Sequence, residues 1–322
     1  MNQAQVKLMF RAAAKAAKAA GRILKSRASL RKRVTYKGRV NLVTEVDTLS
    51  EATIVSYLAA RFPNHSFLAE EGGVTQSGSE FQWVIDPLDG TTNYVHGYPI
   101  YSVSIALRRR ESTVLGVVYD PNLDELFGAI EGGGAHLNGK KIRVSATASL
   151  SQSLLATGFP YDVRESKNNN LDHFSNFAVR AQAVRRGGSA ALDLCQVACG
   201  RLDGFWELKL GPWDTAAGAL IVKEAGGTLT DFSGNDFDIF KKEIAASNGK
   251  IHKEMLRTLE LSLDNARRTR GGSRPRRTKN GSRARSAGGG PGSQQFRSRA
   301  KHTRGLRSPL SRTDGRRNGV GR

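Results

Sequence analysis

The feature that most constrains this fold is a strand-like run ending in two carboxylates, Trp-Val-Ile-Asp-Pro-Leu-Asp-Gly-Thr-Thr-Asn at residues 83–93. Residues 83–85 are large or β-branched and favour a buried strand. Pro87 cannot donate a hydrogen bond to a sheet ladder, so we expect the strand to end there. Asp86 and Asp89 are therefore predicted to lie where the chain leaves a sheet.

The turn after this strand is suited to an anion. Asp89-Gly90 is a turn signal, and Thr91 and Thr92 are expected to cap a following helix, whose first amides would point free donors at a phosphate. The carboxylates could hold Mg²⁺, which prefers oxygen ligands and shares them with substrate phosphate. In ordinary turns of this kind, however, one carboxylate caps a helix and the other is solvated. The segment alone leaves both interpretations open.

Two other acidic segments bear on that choice. Glu70 and Glu71 follow an apolar run and precede two glycines, a pattern that by itself is usual for a solvated loop. Asp214 precedes a run of small and apolar residues that is predicted to be a buried helix, in which an acid at this position is by default the N-cap.

Together the three segments resemble the inositol monophosphatase family, whose pattern pairs Glu-Glu with Asp-Pro-(Ile/Leu)-Asp-Gly-Thr-Thr and a later Trp-Asp-x-Ala-Ala-Gly. The resemblance covers residues 1–263 and includes further segments at 41–47, 188–191 and 224–227. Six segments in the family's order are highly specific. The run at 157–160 and the pair Arg185-Arg186 are more similar to the bacterial branch than to the animal one.

The resemblance implies a two-metal site. One Mg²⁺ would be held by Glu70, Asp86 and the carbonyl of Leu88, and a second by Asp86, Asp89 and Asp214. Asp86 would bridge the two ions. Such a pair can stabilise both the attacking and the leaving oxygen of an in-line displacement.

Further roles are implied for the surrounding residues. Thr91 matches a residue that helps Glu70 to orient the attacking water, and Asp47 and Glu71 match acids near a third, weaker metal or its water shell. The substrate site would consist of the amides of Gly90, Thr91 and Thr92 for the phosphate, Glu207 for alcohol hydroxyls, the loop residues Gly188, Ser189 and Ala190, and Asp214. The family also implies a homodimer and inhibition by lithium.

The function predicted from these residues is magnesium-dependent hydrolysis of inositol monophosphate, or of a similar small alcohol phosphate, by a metal-activated water. A related phosphatase acting on histidinol phosphate would share the metal motifs and differ in the alcohol pocket. An RNA-associated factor in transcription or ribosome assembly, with incidental phosphatase activity, is the alternative of a different class.

The fold is predicted to be mixed α/β, and the resemblance implies a layered α-β-α-β-α sandwich. We expect an N-terminal α+β half at 1–150 that carries most metal ligands, and an α/β half at 151–264 that carries Asp214 and the alcohol pocket. Elements are predicted by pattern: helices at 51–62, 190–198 and 215–224, strands at 100–107, 114–119, 125–130 and 227–231, and a hairpin turn at Asn138-Gly139.

The N-terminal stretch is basic and has no acid before Glu45, so it could be a transit peptide. Its apolar positions instead follow one helix face, which predicts a retained helix: Val6, Met9, Phe10, Ala13, Ala17, Ala20 and Leu24. No apolar run approaches the ~20 residues that span a bilayer. Cys195 and Cys199 are four residues apart on a predicted buried helix and are expected to pack in the core. These features favour a cytoplasmic protein.

The positive charge is concentrated at the C-terminus. Residues 265–322 contain 18 Lys or Arg and one acid, a net charge of +17 that leaves +4 of the chain's +21 for residues 1–264. This segment is rich in Arg, Gly and Ser and has one aromatic residue, a composition that predicts disorder. Such a tail would attract RNA nonspecifically through counterion release, or it is an extension without a function.

Overall fold

Two β-sheets form the frame that positions the site. The structure is a computed structural model that describes residues 2–30, 34–36, 42–75 and 78–271. The helices are α1 Gln3–Arg27, α2 Glu45–Ala59, α3 Thr91–Val95, α4 Leu171–Ala178, α5 Ala190–Ala198, α6 Pro212–Glu224 and α7 His252–Gly271.

The strands are β1 Val34–Tyr36, β2 Leu42–Thr44, β3 Ser66–Ala69, β4 Gly73–Thr75, β5 Phe81–Asp89, β6 Ser102–Arg109, β7 Ser112–Asp120, β8 Glu125–Ile130, β9 Ala135–Leu137, β10 Lys140–Lys141, β11 Leu154–Thr157, β12 Ala183–Arg185, β13 Gly204–Leu208, β14 Thr228–Thr230 and β15 Glu243–Ser247. Strands β1 and β2 pair with each other. The first large sheet has the order β10-β9-β8-β7-β6-β5-β3-β4, and the second has the order β12-β11-β13-β15-β14.

Helices cover and separate the two large sheets. Helices α1 and α2 pack on one face of the first sheet, α5 and α6 contact both sheets, and α4 and α7 pack against the second sheet. Three apolar clusters fill the spaces between these layers. The arrangement confirms the predicted α-β-α-β-α sandwich.

Strand β5 shows why both faces of the first sheet are apolar. Trp83 and Ile85 pack into the cluster beneath α1 and α2, while Val84 belongs to the cluster around α5 and α6. Successive side chains of a strand point to opposite faces, so a sheet covered on both sides needs a continuous apolar run. The predicted buried strand at 83–85 is confirmed.

The prediction that Pro87 ends this strand is wrong. Strand β5 continues to Asp89, and its pairing with β6 shifts register between Asp86, which lies opposite Ser104, and Asp89, which lies opposite Ser102. Pro87 is accommodated within this bulge, where a ladder hydrogen bond is not required of it. The bulge changes the direction of the chain at Asp86 and Asp89.

The helix at the N-terminus is confirmed. Seven residues of α1 are buried against the sheet and α2: Ala12, Ala13, Ala16, Ala17, Ala20, Gly21 and Leu24. The predicted helix at 51–62 is real but begins earlier, at Glu45. Thr44 and Asp47 form a capping box there, which the sequence analysis did not use. The Asn138-Gly139 turn between β9 and β10 is confirmed, with positive φ at both residues.

The region after residue 250 differs from the predicted boundary. Helix α7 extends to Gly271, beyond the predicted start of the tail at 265, and Met1–Ser273 form one compact unit. The predicted disorder of the rest of the tail falls on 272–322, which lie outside the described residues. Within the described ranges, no helix is both long and apolar enough to cross a membrane.

Candidate active site

Three carboxylates from distant parts of the chain converge. Asp86 and Asp89 lie at the end of β5, and Asp214 lies in the first turn of α6; oxygens of all three lie within 4.8 Å of one another. Asp86 and Asp89 are buried, with 1% and 8% of their surface exposed. The structure thus brings together the three acids that the sequence analysis grouped around one metal.

Burial and mutual repulsion both disfavour the charged forms of these acids. Burial, followed by the charges of Glu70, Asp89 and Asp214, raises the pKa of Asp86 well above its ordinary range. Burial also raises the pKa of Asp89 to about 6 and that of Asp214 well above its ordinary value. When these three carboxylates are ionised together, they repel one another, and a nearby cation is needed to offset that repulsion. Several carboxylate oxygens at short range form a donor set that fits Mg²⁺.

Glu70 and Leu88 flank the carboxylate cluster. Glu70 follows β3 and is close enough for its charge to raise the pKa of both Asp86 and Asp214. The Leu88 amide donates to Asp86 Oδ1 at 2.9 Å, and its carbonyl accepts from Thr91 Oγ1 at 3.1 Å. Both residues therefore lie beside Asp86, on the side where the resemblance implies the first metal.

The start of α5 holds Asp89. Ser189 Oγ donates to Asp89 Oδ2 at 2.5 Å, and the Ala191 amide donates to the same oxygen at 2.8 Å. A contact from the Ala190 amide also lowers the pKa of Asp89. Ser189 and Ala190, which the resemblance assigned to the alcohol pocket, thus orient a candidate metal ligand from the other half of the chain.

The default interpretation of Asp214 as a helix N-cap is wrong. Helix α6 begins at Pro212, with Gly211 as its N-cap, and Asp214 is the third helical residue. Its Oδ2 accepts from the Gly211 amide at 2.6 Å. This bond fixes the carboxylate at the helix start and leaves its other oxygen for the cluster.

The predicted caps of α3 are also wrong. The N-cap is Gly90, whose φ of +99° suits glycine, and a Cβ there would lie 2.9 Å from the Ile100 carbonyl oxygen. Thr91 instead turns its hydroxyl toward Asp47 Oδ1 and the Leu88 carbonyl, each at 3.1 Å. The amides of Gly90, Thr91 and Thr92 remain at the start of this short helix, beside the carboxylates.

Asp47 joins α2 to the site. Its Oδ2 accepts from the Thr44 amide at 2.9 Å, and its Oδ1 accepts from Thr91. Burial, the largest cause, raises the pKa of Asp47, and the charge of Glu71 contributes in the same direction. The Glu71 amide donates to Glu51 Oε2 at 2.9 Å. A role for Asp47 and Glu71 around a third metal stays a prediction.

Glu207 lies in the other half, on β13, with 9% of its surface exposed. Burial is the main reason that its pKa is raised to about 8, and the charge of Asp193 is the next. Gly158 makes room for this side chain, because a Cβ at residue 158 would overlap the Glu207 carboxylate.

Sequence reasoning missed two side chains here. Tyr161 is 54% exposed, and its pKa is raised by the burial of part of its ring and then by the charges of Glu70, Asp214 and Asp89, which places it beside the carboxylate cluster. Asp193 follows Ser189 in α5 and lies near Glu207. The only available signal was proximity in sequence to the motifs at 157–160 and 188–191.

The chain is similar to known proteins. The model of the inositol monophosphatase family matches residues 5–263. An inositol-1-monophosphatase of Synechocystis is 49% identical over 228 residues, covering 70% of this chain and 79% of that protein. A Pseudomonas aeruginosa protein named Nus factor SuhB is 45% identical over 234 residues, covering 70% and 86%.

The fold is also similar to that of a solved structure. The inositol monophosphatase of Anabaena (Nostoc) superposes with a TM-score of 0.74 at 43% identity, covering 80% of this chain and 97% of that one. The sequence match, the shared sandwich and the converging carboxylates lead to one conclusion: the chain belongs to the inositol monophosphatase family and is a phosphatase that hydrolyses phosphate monoesters.

Proposed function

We propose that this protein is a magnesium-dependent phosphatase that hydrolyses inositol monophosphate to inositol and phosphate. The observation that carries the proposal is the cluster of Asp86, Asp89 and Asp214, with oxygens within 4.8 Å, at the end of a strand and beside the start of α3. Hydrolysis of a phosphate dianion requires neutralisation of its charge, and this cluster can gather cations at that place.

The residues that would hold magnesium divide into two sets. Glu70, Asp86 and the Leu88 carbonyl would bind one ion, and Asp86, Asp89 and Asp214 a second. When bound, Mg²⁺ supplies charge neutralisation of the phosphate and a lower pKa for a coordinated water. Ser189 and the amides of α5 keep Asp89 oriented, as hydrogen bonds behind a metal ligand generally do.

Thr91 and Asp47 can receive the proton of the attacking water. The Thr91 hydroxyl donates toward Asp47 Oδ1, which leaves a lone pair of Thr91 Oγ1 to accept from a water on the cluster side. Asp47 is buried and its pKa is raised, so it is a stronger base than an exposed aspartate. The proton would pass from the water to Thr91 Oγ1 as the Thr91 proton moves to Asp47.

A turnover screen tests the proposed substrate. Purified full-length protein with magnesium should release phosphate from inositol monophosphate with a higher kcat/KM than from histidinol phosphate, fructose bisphosphate or phosphoadenosine phosphate. Glu207 in the alcohol pocket can accept hydrogen bonds from ring hydroxyls, which favours the polyol. A clear preference for histidinol phosphate would rule out inositol monophosphate as the substrate, while the conclusion that the protein is a phosphatase would stand.

A second function, association with RNA, is favoured by the net charge of +17 in residues 265–322. Proteins named Nus factor SuhB are among the relatives of this chain. Binding through Lys and Arg releases counterions, so its affinity falls as salt rises. We propose that the tail adds nonspecific RNA contact to the phosphatase.

Comparison of the full chain with residues 1–273 tests the RNA contact, because Met1–Ser273 form a compact unit. Binding of a single-stranded RNA, measured by fluorescence anisotropy from 50 to 200 mM salt, should be tight and steeply salt-dependent for the full chain only. Equally weak binding by both proteins would end this proposal.

We also propose a cytoplasmic homodimer. Both cysteines are free; Cys195 is fully buried and Cys199 partly so, as expected for core packing, and α1 packs into the core as a retained element would. The dimer rests on the family resemblance, and sedimentation at micromolar concentration checks it.

A further inference from the structure

Two acids of the candidate alcohol pocket are largely buried and receive no hydrogen bond from the described part of the protein. Asp193 and Glu207 are 7% and 9% exposed. In the part of the chain that the structure describes, neither carboxylate accepts a hydrogen bond from the protein. Their oxygens are not among the fully buried polar atoms of that part that lack a partner, so they keep contact with the solvent of the pocket. A ligand in the pocket can therefore donate hydrogen bonds to both acids.

The charge of Asp193 raises the pKa of Glu207, which relates the two acids electrostatically. Asp193 is in the first turn of α5, Glu207 is on β13, and these elements pack together. Each acid also interacts with Asp89. The pair thus lies within reach of the charge of Asp89, next to the loop residues assigned to the alcohol pocket.

Glycines keep this space open on two sides. A Cβ at residue 158 would overlap the Glu207 carboxylate, and a Cβ at residue 187 would lie 2.8 Å from Asp193 Oδ1. The backbone therefore approaches both acids more closely than a residue with a Cβ would allow, and the absence of these Cβ atoms leaves room for both carboxylates.

We propose that Asp193 is a specificity-determining residue that, together with Glu207, accepts hydrogen bonds from two hydroxyls of a neutral polyol. The proposal rests on the proposed function and deepens it by naming the feature that the substrate alcohol must have. Glu207 alone would recognise one part of the alcohol. With Asp193 the pocket requires at least two hydroxyls beyond the ester oxygen.

Arg186 favours a neutral alcohol over a cationic one. Its positive charge acts on both Asp193 and Glu207, lowering their pKa values relative to burial alone. An ammonium group in the pocket would be attracted by the acids and repelled by this guanidinium, whereas hydroxyls meet no such opposition.

Kinetics of the Asp193→Ala variant of the full chain test the proposal. For inositol monophosphate, kcat/KM should fall at least about tenfold, as expected when a substrate hydroxyl loses its buried hydrogen-bond partner. For p-nitrophenyl phosphate, which has no further hydroxyl, it should stay within about twofold of the wild type. Asp193→Asn, which retains one acceptor oxygen, should be intermediate. Asp172 is an exposed acid on α4, and its replacement by Asn is the matched control, which should leave kcat/KM unchanged for both substrates.

The outcomes distinguish a failure of the Asp193 proposal from a failure of the proposed inositol monophosphatase function. Equal losses for both substrates would indicate a structural role for Asp193, and no loss for inositol monophosphate would overturn the assignment. Histidinol phosphate is assayed in the same way, and a loss confined to that substrate would overturn the proposal and identify a cation-binding pair instead. Titration of free inositol in the presence of phosphate and magnesium gives a readout without turnover: weaker binding by Asp193→Ala supports the proposal even if the proposed catalytic function fails, and unchanged binding contradicts it.

Discussion

Replacement of Asp89 by Asn is expected to lower kcat on a phosphate monoester about a thousandfold at saturating magnesium. Asp89 supplies a charged oxygen to the carboxylate cluster, and an amide of the same shape removes the charge that would hold a cation there. The hydrogen bonds from Ser189 and the Ala191 amide can still be accepted by the Asn oxygen, so the fold is expected to persist.

The measurement is steady-state phosphate release together with circular dichroism and thermal unfolding of the same preparation. Asp172→Asn, on an exposed face of α4, should retain wild-type kcat. Ser189→Ala leaves the charge of Asp89 in place and removes one of its donors, so it should raise the magnesium requirement about tenfold or more with a smaller loss of kcat. Normal kcat in Asp89→Asn would rule out the second metal site.

The metal-free protein is expected to lose stability as the pH rises from about 4 to above 6. The ordinary pKa of 3.8 for Asp89 is raised to about 6 in the folded protein. In this window the native state binds a proton that the unfolded chain has released, so the free energy of unfolding falls with increasing pH. The raised pKa of Asp89 corresponds to about 3 kcal/mol lost once it is ionised, and Asp86 and Asp214 act in the same direction.

Magnesium should reverse this loss, because it binds the folded carboxylate cluster in its ionised form. At a hundred times its dissociation constant it would add about 2.7 kcal/mol. Urea unfolding at pH 5 and pH 8, with chelator or with magnesium, measures both effects. The stabilisation by magnesium should be small at pH 5 and large at pH 8. Asp89→Asn should shrink the pH-dependent loss in chelator, and an unchanged loss in that variant would show that Asp89 does not titrate as described.

Much of the site could be predicted from local pattern. The apolar run at 83–85 requires a sheet that is covered on both faces, and the acids and turn residues after it place polar groups at the end of a strand. The basic tail was evident from its composition. These predictions depend on neighbours in sequence, for which residue type is sufficient.

Other features of the structure could not be predicted from residues that are neighbours in the sequence. Pro87 was expected to end β5, but a register shift against β6 accommodates it. Thr91 was expected to cap a helix, but its hydroxyl faces Asp47, a residue 44 positions earlier. Both outcomes depend on which partner segment lies alongside, and local propensity contains no information on that.

The sequence by itself indicated the kind of chemistry: together with the family resemblance, it predicted a metal and phosphate site at the acids of residues 83–93 and named their partners. Only the tertiary structure decided how they meet. The packing of α5 against the end of β5 brings Ser189 to Asp89 across 100 residues, and the packing of α5 on β13 brings Glu207 within reach of the charge of Asp193. Burial then sets their electrostatics, because the pKa of a carboxylate depends on the solvent and charges that surround it, which are properties of the folded chain.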